Sequence, residues 1–434
     1  MKLLALFLLL IAQSYAGLSV AVGQFTKAAG TPTFTQTVTD TNFGGGTPVA
    51  VILWTTGQSA TGFTTHGNFA IGAAVAGIAR TAGITDQDAS ASNTSNRYNY
   101  SANAIAWQTN GATTLIEVAN LSSFGANSFT LSWTTGAGAG TLYNYLLLGG
   151  TDITNANLIE GTIPATTPAS VGYTGMGFKP DFIFLFGCGN ANVLGTGNNA
   201  PISFGMGTSS SARGTSGSFQ THFASPAAGA SSQSSSFVYR ALNTTSTNSS
   251  VGDLVSMDTD GFTINWTTVV STSRLFAALG LKGGRYKVGN YNKSTGGAPA
   301  SQGVTGVGFS PSVVVQFSIH NVTTAGFTAL QNVSFGATTS LSHVNGWAWQ
   351  KSGTLPAVAD RYIDATNMLM LGTGPSTADA TAAFTSLDAD GWTESWNPNS
   401  AVADQIMYFA IGPAAGASGH CPSCDLSQLR MPYD

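Results

Sequence analysis

The chain repeats one pattern of residues three times along its 434 positions. In each copy a proline precedes an apolar run, a short segment ending in glycine follows, and a strand-like segment ends in tryptophan. The prolines are Pro48, Pro180 and Pro311, the glycines are Gly72, Gly205 and Gly336, and the tryptophans are Trp133, Trp266 and Trp396. Because three independent markers keep one order and a spacing of about 131 residues, we infer that one unit was duplicated in tandem.

The length of the repeat indicates the domain organisation. Solenoid and propeller repeats are about 20–50 residues long, whereas this repeat has the size of a complete small domain. The markers predict units at residues 17–150, 151–283 and 284–413. Residues 1–16 precede the first unit, and a tail at 414–434 follows the third.

Each unit is predicted to consist of β-strands. The segment from Phe129 to Trp133 alternates apolar and polar side chains, which is the period of a strand with one face on a core. Only 8% of the residues are charged and Glu occurs three times, which excludes coiled coils and long solvated helices. We therefore predict an all-β protein of three tandem antiparallel β-sandwich domains, jelly-roll-like, with a barrel as the alternative.

The charge composition also limits the partners. The chain has 15 basic and 19 acidic residues, so it lacks the basic footprint that nucleic-acid binding needs. No segment after the first 16 residues is apolar for long enough to predict a membrane span. A surface of hydroxyl and amide groups suits packing between identical subunits or hydrogen bonding to sugars. Self-association and a surface glycan are the predicted partners.

The two ends of the chain carry signals of their own. Lys2, an apolar stretch from Leu3 to Ala12, and small residues at Ser14 and Ala16 are typical of a secretory signal, which predicts an extracellular, cell-surface or virion location. A buried N-terminal strand or helix is the alternative. In the tail, Cys421 and Cys424 predict a local disulfide, with half a zinc site or a redox pair as alternatives. We predict no metal and no other cofactor, since a closed zinc site needs four ligands.

Glu394 is the residue that departs most from the repeat. It stands between Trp392 and Trp396, where the other units have Leu131 and Ile264. If the two tryptophans face the core, Glu394 does as well, and a buried carboxyl group with a raised pKa is a candidate general acid. The alternatives are that this face of the third unit is exposed to solvent, or that Glu394 pairs with Arg361.

Three tryptophans lie outside the repeat markers. Trp107, Trp347 and Trp349 have Asn and Thr residues near them in the sequence, and exposed aromatic rings in such surroundings suit the faces of sugars. Together with Glu394 they are the predicted ligand-binding residues. Packing in the core is the favoured interpretation of these side chains. The five histidines show no metal-binding spacing and are predicted to be polar loop residues.

Two Asp-x-Asp-Gly segments, at Asp258 and Asp388, resemble the start of a calcium loop. They lack the further ligands of that loop, so a tight turn into the next strand is the favoured interpretation. These segments and the stretches from Thr174 to Asp181 and from Thr305 to Pro311 resemble a family of tandem β-domain proteins encoded by bacteriophages and their bacterial hosts. The first unit departs from that pattern, with Gly45, Gly46 and Thr47 before its proline. The resemblance implies a structural or surface-binding role and carries no catalytic motif.

Two functional hypotheses follow. The first is a non-enzymatic extracellular or virion-surface protein that self-assembles or binds surface glycans through polar loops. The second is a polysaccharide-active enzyme in which Glu394 of the third unit is the acid or base. A cleft confined to the third unit would favour the second hypothesis.

Overall fold

The structure is a computed structural model that describes most of the chain. The described residues are 17–29, 33–91, 94–110, 112–136, 140–189, 195–221, 229–242, 248–320, 322–324, 326–351 and 356–415. The predicted signal segment 1–16 and the predicted disulfide of Cys421 and Cys424 lie outside them.

The predicted β-structure is confirmed. The described residues form 33 strands and one short 3-10 helix, Thr41–Phe43. The first unit contains β1 (Leu18–Thr26), β2 (Phe34–Thr39), β3 (Pro48–Thr55), β4 (Gly62–Thr65), β5 (Phe69–Val75), β6 (Ile78–Asp86), β7 (Ser95–Ser101), β8 (Ile105–Gln108), β9 (Leu115–Gly125), β10 (Ser128–Thr135) and β11 (Leu142–Gly150). The second contains β12 (Ile153–Ile163), β13 (Ala169–Thr174), β14 (Phe182–Gly187), β15 (Gly195–Asn198), β16 (Ile202–Ser209), β17 (Ala212–Gln220), β18 (Gly229–Ser234), β19 (Tyr239–Leu242), β20 (Asn248–Asp258), β21 (Gly261–Thr268) and β22 (Arg274–Gly283). The third contains β23 (Arg285–Asn292), β24 (Ala300–Thr305), β25 (Val313–Ser318), β26 (Gly326–Thr328), β27 (Gln331–Thr338), β28 (His343–Gln350), β29 (Ala359–Asp364), β30 (Leu369–Leu371), β31 (Ala380–Asp388), β32 (Gly391–Trp396) and β33 (Gln405–Gly412).

The strands form three pairs of antiparallel sheets with the same strand order. In the first pair, the large sheet has the order β1-β11-β3-β5-β6-β7 and the small sheet has the order β2-β10-β9-β8. The first two strands of the unit therefore pair with its last two, as in a jelly roll, and two meanders lie between them. The other two pairs repeat this order with the corresponding strands.

A seventh strand joins each large sheet from another unit. The second unit supplies β15 to the edge strand β7 of the first, the third supplies β26 to β18 of the second, and the first supplies β4 to β29 of the third. The exchange closes in a ring because every unit both gives and receives one strand. The tandem repeat did not predict this pairing.

Each large sheet is buried on both faces. In β3, Val51 and Leu53 belong to the core between the two sheets of the first unit. Ile52 and Trp54 face the opposite way, into a core that the large sheets of all three units share. Burial on both faces explains why the runs after the prolines are continuously apolar instead of alternating.

Aromatic rings from different units meet in this shared core. Phe335 of the third unit lies 5.1 Å from Trp54 of the first and 5.6 Å from Phe204 of the second, measured between ring centroids. Phe69 of the first unit lies 5.9 Å from Phe204. The three sheet pairs are therefore packed around one apolar centre.

The repeated glycines permit a close approach of the backbone. A Cβ atom on Gly205 would overlap the carbonyl oxygen of Val238, the residue just before β19. Gly72 and Gly336 stand in the same relation to the carbonyl groups of Ala104 and Met368. Glycine is thus needed at this position because the chain passes over the large sheet there before it enters the small one.

The Asp-x-Asp-Gly segments are turns, as the sequence favoured. Asp260 accepts hydrogen bonds from the backbone N–H groups of Gly175 and Gly177, at 3.1 and 2.6 Å. Asp390 accepts the corresponding pair from Gly306 and Gly308. These two carboxylates fix the loops at Gly175 and Gly306, which belong to the stretches that resemble the family of tandem β-domain proteins. No group of three or more acidic, His or Cys side chains in the described ranges could hold a metal ion.

Candidate functional site

Trp347 and Trp349 are core residues, as the packing interpretation expects, and they are not the exposed rings that the ligand-binding prediction requires. Their exposed fractions are 0% and 1%. The indole N–H of Trp347 donates to Asn332 at 2.9 Å, and its ring lies 6.0 Å from Phe63 of the donated strand β4. Both tryptophans are buried because β28 lies inside the large sheet, so they pack beneath the exchanged strand instead of facing a ligand.

Glu394 is fully buried, with an exposed fraction of 0%. Its two oxygens accept four hydrogen bonds of 2.6 to 3.0 Å, from Tyr291, Gln316, Trp392 and Trp396. Burial raises the pKa of the carboxyl group, and these four donors oppose that rise. The expectation that Glu394 faces the core is therefore confirmed.

The roles predicted for Glu394 do not fit this position. A substrate cannot reach a carboxyl group whose exposed fraction is zero and whose oxygens are occupied by core donors. The alternative pairing with Arg361 is also wrong, since that guanidinium donates to the carbonyl oxygen of Thr56 at 2.9 Å. Glu394 instead satisfies polar groups inside the third sandwich.

Trp107 occupies a different environment from the other two predicted tryptophans. It is half-buried in β8 and lines a pocket of about 300 Å³. A Cβ atom on Gly57 would lie 2.8 Å from Cε3 of the indole, so Gly57 covers the ring closely. Of the predicted ligand-binding residues, Trp107 lines this pocket, and Trp347, Trp349 and Glu394 do not.

A buried carboxylate that the sequence did not single out lies behind Trp107. Glu117 in β9 accepts hydrogen bonds from the Trp107 indole at 2.8 Å, the Tyr143 hydroxyl at 2.5 Å and the Thr141 hydroxyl at 3.1 Å. The ammonium group of Lys27, also buried, lies 3.5 Å from it. Because these contacts hold the indole by its N–H group, the orientation of the Trp107 ring is determined by the core.

The pocket is completed by another unit. Arg361 of β29 enters it beside Thr64 of β4, the strand that the first unit donates to the third. Its exposed fraction is 6%, and its Nε has no hydrogen-bond partner among the described residues. Burial lowers the pKa of Arg361 to about 10, so the guanidinium is still charged at neutral pH.

A second pocket, of about 370 Å³, lies along the other face of the same strand pair. Two carboxyl groups, of Asp88 and Asp360, line it. Burial raises the pKa of Asp360, and the nearby charge of Asp88 raises it further. The two faces of the β4–β29 pair therefore differ in charge, one carrying a guanidinium and the other carboxyl groups.

His320 lies in the loop after β25, as the sequence predicted, whereas His343 begins strand β28, where the loop prediction is wrong. The ring of His320 is buried, and its two nitrogens lie 2.8 Å from Asp404 and 3.0 Å from Asp379. The hydrogen bonds and charges of these carboxylates outweigh desolvation and raise the pKa of the imidazole. The cluster joins the start of β33 to the segment after β30.

Comparisons of the chain with models of protein families, with curated proteins and with solved structures found no match. Among the described residues there is no helix long and apolar enough to cross a membrane. The pocket of Trp107, Glu117 and Arg361 is the candidate site, and its geometry is what supports it.

Proposed function

We propose that this chain is a non-enzymatic structural or adhesion protein of an extracellular or virion surface. The observation that carries the proposal is the ring of exchanged strands, which ties the three sheet pairs around one shared core. Such an arrangement suits a rigid support for surface loops, since no unit can move away without breaking a strand pairing and exposing apolar side chains.

The exchanged strands also affect how the protein meets its neighbours. The edges of β7, β18 and β29 are each covered by a donated strand, and a covered edge cannot pair with another molecule. Self-association through the edges of β7, β18 and β29 is thereby blocked, whereas the large sheets end in β1, β12 and β23 and in the donated strands. Loop contacts are the route that we propose for self-association. Mass photometry of the full chain would test this part, and a strict monomer at all concentrations would contradict it.

A glycan is the ligand class that the candidate site favours. The pocket combines one held aromatic ring, the hydroxyl group of Thr64, a charged guanidinium and the carboxylate of Glu117, which is paired with Lys27. Pockets of this kind bury an apolar face and orient the ligand through a few polar groups. The virion location that the resemblance implies and the secretion that the leader predicts both fit a protein that attaches to surface polysaccharide.

The proposed function is tested by presenting the full chain to an array of bacterial and host glycans, with binding to whole cells as a second readout. We expect binding to a restricted set of glycans. Absence of binding to every glycan and cell surface, together with absence of assembly, would overturn the proposal.

A further inference from the structure

We infer that the Trp107 pocket binds a carboxylated sugar such as a hexuronic acid residue, with Arg361 as the partner of its carboxylate and Trp107 as the surface for its ring. The inference rests on the proposed glycan-binding function and names the class of sugar. It assigns a binding role to a residue of the third unit in a pocket of the first.

The first argument is the unused hydrogen-bonding capacity of Arg361. A buried polar group without a partner is costly, and the cost is greater for a charged group. In the described chain, Nη1 donates to Thr56, whereas Nε has no partner. A carboxylate bound in the pocket would give the guanidinium a charge-assisted hydrogen bond and a counter-charge, neither of which it receives from a side chain of the described residues.

The second argument is the balance of charge around the pocket. Lys27 and Glu117 are both buried and compensate each other across 3.5 Å. The carboxylate of Asp360 lines the opposite pocket, where the backbone N–H of Ser376 donates to it. Asp360 acts on Arg361 through its charge, but among the described residues no carboxylate lies within ion-pair distance of the guanidinium, which favours an anionic ligand in the Trp107 pocket.

The third argument is the position of the indole. Gly57 packs closely on the six-membered ring of Trp107, and the N–H group is bound to Glu117. The part of the ring that remains accessible lies in the pocket with Arg361. A pyranose ring packed against it would bury apolar area with its carboxylate directed at the guanidinium.

The experiment measures binding of D-glucuronic acid and D-glucose to the full chain by titration calorimetry. The two sugars differ at one carbon, so the comparison isolates the carboxylate. We expect glucuronic acid to bind at least about tenfold more tightly, which is the size of one charge-assisted hydrogen bond. This comparison uses the unmodified protein and does not depend on any variant folding.

The Arg361→Gln substitution then removes the charge, and Arg97→Gln is the matched control. Arg97 and Arg361 occupy the same register on their strands, since Arg97 pairs with Gly197 of β15 and Arg361 pairs with Thr64 of β4. Arg361→Gln should weaken the binding of glucuronic acid about tenfold or more and change the affinity for glucose little. Arg97→Gln should leave both affinities unchanged. Thermal melting of each variant reports whether it is folded.

The outcomes separate the two proposals. Equal affinity for the two sugars overturns the inference, as does an acid preference that survives Arg361→Gln in a folded variant. Binding to neutral glycans on the array with no acid preference leaves the adhesion function standing and removes Arg361 from it. Failure to bind any glycan overturns the inference together with the glycan-binding role.

Discussion

At the scale of single residues, the buried ionisable groups differ in how well their surroundings satisfy them. Glu394 accepts hydrogen bonds from four side chains, whereas Asp86 is equally buried with much weaker compensation. Burial holds the pKa of Asp86 well above its usual range, and the side chains of Ser95 and Gln331 oppose this only in part. The two carboxyl groups should therefore respond in opposite ways to replacement by an amide.

We predict that Asp86→Asn stabilises the protein at pH 7. In the unfolded chain the carboxyl group ionises near pH 4, but in the folded protein it stays neutral to a higher pH. As the pH rises from the pKa of the unfolded chain to that of the folded protein, the wild type therefore loses about 1.4 kcal/mol of stability for each pH unit. The variant has no ionisable group at this position and does not lose it. Urea unfolding at pH 4 and pH 7 should show a difference that grows as the pH rises.

Asp390→Asn is the control of opposite sign. The backbone N–H groups of Gly308 and Gly306 hold the pKa of Asp390 below its usual range. This carboxylate contributes stability above its unfolded pKa, and the contribution is lost as the pH falls through the folded value. Asp390→Asn should therefore destabilise most at pH 7. A destabilising effect of Asp86→Asn at pH 7 would contradict the assignment of a neutral buried carboxyl group.

We predict that Glu394→Gln destabilises the protein. The amide would turn an NH₂ group toward indole or hydroxyl donors, and each buried donor left unsatisfied costs about 1–3 kcal/mol. The matched control is Glu160→Gln, because Glu160 is partly exposed and lies 3.5 Å from Arg80. Urea unfolding should show little change for the control. Equal stability of the Glu394 variant and the wild type would mean that the four contacts do not hold the carboxylate.

At the scale of elements, the repeated glycines and the exchanged strands have different physical causes. Gly205 is required by the carbonyl oxygen of Val238, a local crossing that every unit repeats. The strand β4 has only four residues, and it is held by pairing with β29 and by packing of Phe63 on Trp347 and Tyr362. The first feature is visible as a marker in the sequence, and the second is not.

We predict that Gly205→Ala destabilises the protein by more than about 1 kcal/mol, because backbone atoms must move to admit the methyl group. Gly172→Ala in the same unit is the control. Its Cβ would meet nothing closer than 3.7 Å, and its backbone is that of an ordinary strand. Thermal melting should show the control unchanged or slightly stabilised. Equal melting temperatures for the two variants would refute the close crossing.

We predict that Phe63→Ala releases β4 from the third unit. The ring lies 4.8 Å from Tyr362 and 6.0 Å from Trp347, and the strand has only four residues with which to pair with β29. Hydrogen exchange should become faster in β29, whose edge loses its partner, with no change in β7 or β18. Unchanged protection of β29 would show that backbone pairing alone holds the donated strand.

At the scale of the whole molecule, the three units share a core that none of them has alone. The large sheets of all three contribute to the central cluster, which includes Trp54, Phe184 and Phe335. A separate unit would expose this face to water, and large apolar patches of that kind drive association. The chain should therefore unfold in one cooperative transition and not as three independent domains.

Residues 151–283 produced alone test this prediction. The isolated unit would expose Phe182, Phe184, Phe186 and Phe204, which are buried in the complete chain. We expect it to associate, either into a trimer that rebuilds the shared core or into larger aggregates. Analytical ultracentrifugation of this unit and calorimetry of the full chain are the measurements. A stable monomer, or three separate transitions in the full chain, would contradict the shared core.

The strand content, the antiparallel sandwich and the turns at Asp260 and Asp390 were predictable because they depend on contacts close in sequence. Alternation of side chains, glycine at a crossing and aspartate at a turn all leave a local pattern. Asn96, Arg97 and Tyr98 of the first unit occupy positions equivalent to those of Asp360, Arg361 and Tyr362 in the third. This similarity was visible in the sequence, and comparing the units there could have drawn attention to Arg361.

The ring of exchanged strands, the shared core and the pocket that joins Trp107 to Arg361 could not be read from the same patterns. Strands of three or four residues have too little periodicity to be recognised, and an apolar run indicates burial without naming what covers it. Two residues 254 positions apart come together because the third unit packs against the first. This contact depends on how the three large sheets bury their apolar faces together. That burial is a property of the whole molecule, and no short segment of the sequence records it.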